Sequence, residues 1–255
     1  MNEERKGFPK RVILEKRHGR LGHEEQILET AANFRNIPVE YLTEKVVARG
    51  FAKFEPTDLV SGSISFIKHA LRAYGVTLSE VQFPDYPEVL DFALRRTIRK
   101  DLTLNQAKTL LDKGERLFVK PQDCKIFTGF VASDSSDPRF NGVSGQRKVF
   151  VCEPVEFLTE WRYYVANGRI GPKGNYAGDP DQTLSFSTVT SILEKLYDVG
   201  IAPAGFVADF GLLPDYSIAL IEINDGFSVG YYGNHPAPYW DMISARWQEL
   251  IGVRW

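Results

Sequence analysis

Three residues near the C-terminus have the types and spacing to hold a hard metal ion. Asp209 lies in the apolar run 206–210, and Glu222 and Asn224 lie in the run 218–224. Both runs read as strands, joined through Pro214 and Asp215. A hairpin centred on Asp215 and Tyr216 sets Asp209 directly opposite Glu222. Side chains so placed are ~5 Å apart at Cβ, and like charges there repel. Asn224, two residues beyond Glu222, shares its face. Two carboxylates and an amide oxygen suit Mg²⁺, which is usually held together with substrate phosphates. Two carboxylates turned to solvent from a half-exposed sheet are the ordinary alternative.

Cations at other positions argue for the metal. The run 160–166 leads into Asn167-Gly168, a favoured two-residue hairpin turn. A turn centred there pairs Arg162 with Lys173, with Glu160 and Tyr164 on the same face and Trp161, Tyr163 and Val165 on the other. Pro172 works against regular pairing beside Lys173. Lys120 ends the apolar strand 117–120, and Lys125 opens the next strand, with Asp123 available as a local ion-pair partner. A metal-bound triphosphate would relieve the opposed cations and the opposed carboxylates together. Between these strands, Glu153-Pro154-Val155 is a proline-broken segment whose unpaired backbone N–H and C=O groups could read a purine edge. An ordinary strand end would look the same.

The elements that must position these residues fall in two stretches. In 1–83, strand, helix and strand signals alternate: 11–14, 23–34, 39–42, 59–60, then a Ser61-Gly62-Ser63 turn and a helix over 64–74. That order reads as a small βαβ-like α/β prelude domain. Pro84 and Pro87 mark a boundary. In 84–255, helices are predicted at 88–98, 104–111, 189–199 and 238–250, and strands at 116–120, 125–131, 148–153 and 161–166, with the Asp209 and Glu222 strands following. The Ser-, Asp- and Gly-rich stretch 132–147 reads as a mobile loop, placed to serve as a lid over phosphates.

Composition limits the function classes. The 255 residues are 43% hydrophobic and 25% charged, with a formal charge of −2, so no basic field advertises nucleic acid. Cys124 and Cys152 have neither disulfide-framework nor metal spacing, and read as free thiols of a reducing compartment. With no signal-peptide or membrane-spanning pattern, the expected location is cytoplasmic, with no membrane partner. The four histidines are scattered, and neither a GxSxG elbow nor a GxxxxGK[ST] loop is present.

Taken in order, Phe118-Val119-Lys120-Pro121, Glu153-Pro154-Val155, Glu160-Trp161-Arg162, Ala208-Asp209-Phe210 and Glu222-Ile223-Asn224-Asp225 resemble the ATP-grasp superfamily. The likeness is to its divergent clade defined by an arginine and two lysines, which includes small bacterial and phage proteins and the eukaryotic assembly factor for translation initiation factor 2. It covers roughly 84–255. The resemblance implies an α+β, ATP-grasp-like fold, with two antiparallel-sheet subdomains sandwiching the nucleotide. It implies that Lys120 and Lys125 touch ATP phosphates, that Glu153, Pro154 and Val155 form the adenine hinge, and that Glu160 or Glu156 reaches the ribose or an acceptor group. Arg162, with Lys173, would stabilise the transferred group, and Asp209, Glu222 and Asn224 would hold Mg²⁺. Residues 225–232 resemble the substrate-side loop after the last metal ligand. The implied activity is an Mg-ATP-dependent, ADP-forming carboxylate–amine (or carboxylate–thiol) ligase acting through an acyl phosphate, on a peptide or protein substrate. An ATP-binding assembly protein without turnover is the alternative.

Overall fold

The computed structural model describes residues 7–123 and 126–255. The chain packs as two compact units, one of residues 1–93 with 158–255 and one of residues 94–157. These units do not coincide with the 1–83 and 84–255 division expected from sequence.

The larger unit opens with a parallel sheet. β1 (Arg11–Arg17) runs between β3 (Val39–Leu42) and β4 (Asp58–Ser61), and β2 (Arg20–Leu21) folds back against its end. A strand covered on both faces reads as a continuous apolar run, and Val12, Ile13 and Leu14 are fully buried. Helices α1 (His23–Phe34), α2 (Glu44–Ala48), α3 (Ile64–Ala73) and α4 (Leu78–Val81) complete this part. In α1 the buried positions Leu28, Ala31 and Ala32 follow the helical repeat. Ser63 caps α3 by accepting from the Phe66 amide.

The chain departs from the predicted elements as it passes from the larger unit into the smaller. In place of a helix over 88–98, a 3₁₀ turn at Glu88–Ala93 stops before Arg95, which takes a positive φ of 55°. Residues Arg99–Thr103 then form β5, a strand that sequence reasoning missed. The capping box of Thr103 and Gln106 starts α5 (Leu104–Asp112). With β6 (Leu117–Pro121), β7 (Phe130–Ala132) and β8 (Lys148–Cys152) the antiparallel order is β5-β8-β6-β7. The strand predicted to open at Lys125 begins only at Phe130; Cys124 and Lys125 lie outside the described residues. The predicted mobile loop is a folded excursion. Asp137 caps the turn Pro138–Phe140, and Phe140, 2% exposed, packs against Phe130 and Phe127 in the unit's core. An aromatic ring so buried holds the loop down.

The larger unit resumes with β9 (Thr159–Ala166), β10 (Arg169–Gly178), α6 (Phe186–Asp198), β11 (Gly205–Leu212), β12 (Ile218–Asp225) and α7 (Pro236–Ile251). The four strands form an antiparallel sheet in the order β10-β9-β11-β12. Asn167 and Gly168 both take positive φ, as the predicted hairpin turn requires. Trp240, Met242, Ile243 and Trp247 of α7 share one core with the parallel sheet, which is why residues 1–93 belong with 158–255. Among the described residues no helix is long and apolar enough to cross a membrane.

Candidate functional site

The site is one row of residues across the antiparallel sheet. Arg162 on β9 stands directly opposite Asp209 on β11, and Asp209 stands opposite Glu222 on β12. The guanidinium grips the carboxylate in a fork: Nε donates to Oδ1 at 2.8 Å and Nη2 to Oδ2 at 2.6 Å. Both side chains are buried, 9% and 2% exposed. Burial alone would lower the Arg162 pKa, but Asp209 more than offsets it and raises the value. Asn224 lies on the same face, its Nδ2 donating to Glu222 Oε1 at 2.8 Å and to Asp209 Oδ2 at 3.4 Å.

The predicted opposition of Asp209 and Glu222 is therefore present, though by a different path. Near the turn, Leu212 pairs with Ile218, and Tyr216 takes φ 62°, so the hairpin is centred on Asp215 alone. The register then shifts between Asp209 and Phe210, which makes Ile221 the extra residue of a bulge and restores Asp209 to Glu222.

The predicted pairing of Arg162 with Lys173 is overturned. Ile170 pairs with Val165 as the turn dictates, but a register shift then places Lys173 opposite Tyr163 and Gly174 opposite Arg162. Pro172 has no N–H to give the ladder, and the strand bulges there. Lys173 consequently lies over the Trp161 ring, 4.0 Å from its centroid, on the face away from Arg162. Burial lowers its pKa. The position it was expected to fill must be glycine: a Cβ on Gly174 would come within 2.4 Å of the Tyr232 carbonyl oxygen.

A second bulge brings in a residue that sequence reasoning missed. The register shifts again between Asn175 and Ala177, and the Asn175 side chain bridges the gap to the Glu160 and Ala177 carbonyls. Tyr176 is the extra residue. It is aimed at Arg162, whose guanidinium carbon lies 5.7 Å from its ring and 5.1 Å from that of Tyr232. Burial, then Asp209 and Glu160, pushes the Tyr176 phenol far above its ordinary value, and Glu160 accepts its hydrogen bond. Glu160 thus sits on the Arg162 face, as expected.

The segment after β12 is pinned along its length. Ser228 donates to the Gly62 carbonyl, Tyr239 to Val229 O at 2.8 Å, Arg162 Nη1 to Gly230 O at 3.0 Å, and the Tyr232 amide to Tyr164 Oη at 2.7 Å. At the Ser61-Gly62-Ser63 turn the helix start already holds an anion of the protein's own: the Ser63 amide donates to Glu15 at 2.6 Å.

In the smaller unit Lys120 lies on β6 opposite Phe150 of β8. Glu153, Pro154 and Val155 follow β8 outside the ladder, with the Glu153 carboxylate accepting from the Thr97 amide at 3.3 Å. Cys152 is a buried free thiol whose pKa is raised by that burial.

Among the described residues no three His, Cys, Asp or Glu side chains gather to hold a metal. Asp209, Glu222 and Asn224 offer two carboxylates and an amide, all hard-oxygen donors on one sheet face. That set fits part of a Mg²⁺ shell, with phosphates and water needed to complete it.

Residues 92–242, more than half of the chain, match an ATP-grasp domain model, that of family 2 in the clade named for one arginine and two lysines. The chain belongs to this ATP-grasp family. Solved structures carry the same fold over nearly its whole length. D-cycloserine synthetase DcsG superposes with a TM-score of 0.60 at 12% identity, covering 94% of this ATP-grasp chain and 99% of that one. N5-carboxyaminoimidazole synthetase from Staphylococcus aureus, complexed with ADP, gives 0.56 at 10% identity, covering 98% and 79%. D-alanine–D-alanine ligase from Bacillus anthracis gives 0.53 at 14% identity, covering 95% and 98%. No curated protein matches the ATP-grasp chain in sequence.

Within this ATP-grasp fold, Arg246 is a further residue whose part was not foreseen. Its Nε and Nη2 hold both oxygens of Asp225, the residue after Asn224, and Asp225 also accepts from the Phe83 amide at 2.7 Å. A sequence signal existed: an arginine among Met242, Ile243, Trp247 and Leu250 on an apolar helix face needs a buried partner.

Proposed function

We propose that this ATP-grasp protein is an Mg-ATP-dependent ligase that joins a carboxylate to an amine, or a thiol, through an acyl phosphate. The observation that carries the reading is the row Arg162–Asp209–Glu222 with Asn224 beside it: metal-type oxygen donors next to a buried phosphate-type fork. Asp209, Glu222 and Asn224 would hold Mg²⁺, which neutralises and orients the phosphates. Lys120 and Lys125 bind phosphate oxygens, Glu153, Pro154 and Val155 read the adenine edge, and Glu160 reaches the ribose or acceptor. Lys173 stays outside the transfer step, because it faces away from Arg162.

The reaction takes two steps. An acceptor carboxylate oxygen attacks the γ-phosphorus and the bond to the β-phosphate oxygen breaks, releasing ADP. An amine nitrogen then attacks the acyl carbon, the carbon–oxygen bond to phosphate breaks, and the nitrogen loses a proton as phosphate leaves. The protein forms no covalent bond; it positions the reactants and neutralises charge. Arg162 meets the charge that develops on the transferred group, with the Tyr176 and Tyr232 rings beside its guanidinium. The clade likeness favours a peptide or protein substrate, with residues 84–255 carrying the nucleotide chemistry and 1–83 packed into the larger unit, not a domain of their own.

The test is release of ADP and phosphate that depends on an added peptide acceptor. Lys120→Ala should then chiefly weaken nucleotide affinity, and Arg162→Lys should chiefly lower turnover, because an ammonium cannot replace a planar fork. Stabilisation by Mg-ATP with no turnover across a broad acceptor panel would instead favour the assembly-protein role.

A further inference from the structure

The Arg162–Asp209 fork occupies the oxygens that a metal ion would need. Nε and Nη2 take Oδ1 and Oδ2 at 2.8 and 2.6 Å, inside the protein and not at its surface. Asn224 is turned the same way: it presents its Nδ2 to Glu222 and Asp209, where a metal ligand would present its oxygen. Asp209 is thus already paired with a cation, Arg162, and Glu222 and Asn224 are bonded to each other.

We propose that Arg162 is an internal stand-in for the metal. It excludes free divalent cations and yields only to Mg²⁺ that arrives with nucleotide phosphates. This rests on the Mg-ATP reading above and adds the order of binding. Free Mg²⁺ could enter only by expelling a buried guanidinium from its carboxylate fork while the neighbouring carboxylates are already engaged, Glu222 by Asn224 and Glu160 by Tyr176, and breaking a buried ion pair is strongly disfavoured. Phosphate oxygens remove that obstacle, because they accept the same bidentate fork that the carboxylate accepts. The exchange is balanced on both sides: metal replaces guanidinium at Asp209, and phosphate replaces carboxylate at Arg162. Arg162 stays tethered meanwhile, its Nη1 on the Gly230 carbonyl and its plane beside Tyr176 and Tyr232. The same movement that admits the metal therefore delivers the guanidinium to the phosphates.

The experiment uses the full-length chain and two readouts that need no turnover, thermal unfolding and Mn²⁺ binding by electron paramagnetic resonance. In the wild type, Mg²⁺ alone should leave the melting temperature where matched ionic strength leaves it, while Mg²⁺ with a non-hydrolysable ATP analogue should raise it. In Arg162→Gln the stand-in is gone, so Mg²⁺ alone should raise the melting temperature. Mn²⁺ should bind tighter by a factor of about 5–150, the usual span of coupling between sites. Arg162→Lys, which keeps a charge but not the fork, should lie between them and serves if the glutamine variant does not fold. Equal response to Mg²⁺ alone in wild type and variants would overturn the stand-in role. So would variants that gain nothing from Mg²⁺ alone while the wild type still responds to the Mg-nucleotide. Asp209→Asn separates the two failures: full Mg-nucleotide stabilisation in that variant would remove the metal reading itself.

Discussion

Asp225 and Arg246 form a buried, two-point ion pair, at 2.6 and 2.7 Å, one residue beyond Asn224 in the metal-type row. The pair ties the end of β12 to α7, and Arg246 Nη2 also donates to the Val81 carbonyl at 2.6 Å. Removing one partner leaves the other charged and buried, so Arg246→Met alone should cost about 3–5 kcal/mol. Asp225→Leu with Arg246→Met should cost less than the single change. Urea unfolding midpoints at constant slope give the comparison, and equal midpoints in the wild type and Arg246→Met would show the pair contributes nothing.

Asp209 and Glu222 should behave differently when neutralised. Asp209→Asn strips Arg162 of its charged partner and should destabilise the ligand-free protein by several kcal/mol, on the order of 3–5. Glu222→Gln relieves a like-charge opposition and should leave it unchanged or slightly firmer. Both should lose most of the Mg-ATP stabilisation, which by mass action is about 2.7 kcal/mol at one hundred times the dissociation constant. Thermal unfolding with and without Mg-ATP measures both effects, and the opposite order in the ligand-free proteins would contradict the geometry.

Phe140 is the anchor of the excursion between β7 and β8. Phe140→Ala should cost about 3–5 kcal/mol, the range for a fully buried aromatic ring. Deleting 135–141 should destabilise the smaller unit and not merely trim a lid. Limited proteolysis should find the wild-type segment protected without nucleotide and the alanine variant cut there. Cleavage of both at one rate would restore the mobile-loop reading.

Glu25 links stability to pH. Burial raises its pKa above the ordinary carboxyl value, against the pull of Arg17, while Glu24 and Glu15 push the same way as burial. A carboxyl with a raised folded-state pKa binds its proton more tightly in the native protein than in the unfolded chain. Its contribution is therefore fully present below the unfolded value and fades as pH rises through the folded one. Glu25→Gln should remove that fall, so the melting temperatures of variant and wild type should diverge from about pH 4.5 upward, with the variant higher. Parallel curves would show that Glu25 does not titrate in this window.

Local patterns were enough for much of this protein. The apolar repeat of α1, the turn at Asn167-Gly168, the apolar run of β12 and the residue types of the row were legible because each rests on neighbours within a few positions. Register was not. Asp209 reached Glu222 only because a three-residue turn and a bulge at Ile221 cancel, while Arg162 missed Lys173 because a single bulge at Pro172 has nothing to cancel it. Which strand lies beside which was beyond reach as well. Arg162 and Asp209 are 47 residues apart, and nothing near either one names the other. The residue types thus specified a carboxylate pair, an amide and an arginine. Only tertiary packing, which chooses strand neighbours by the burial of whole faces, decided that the arginine sits on the carboxylate where a metal would be.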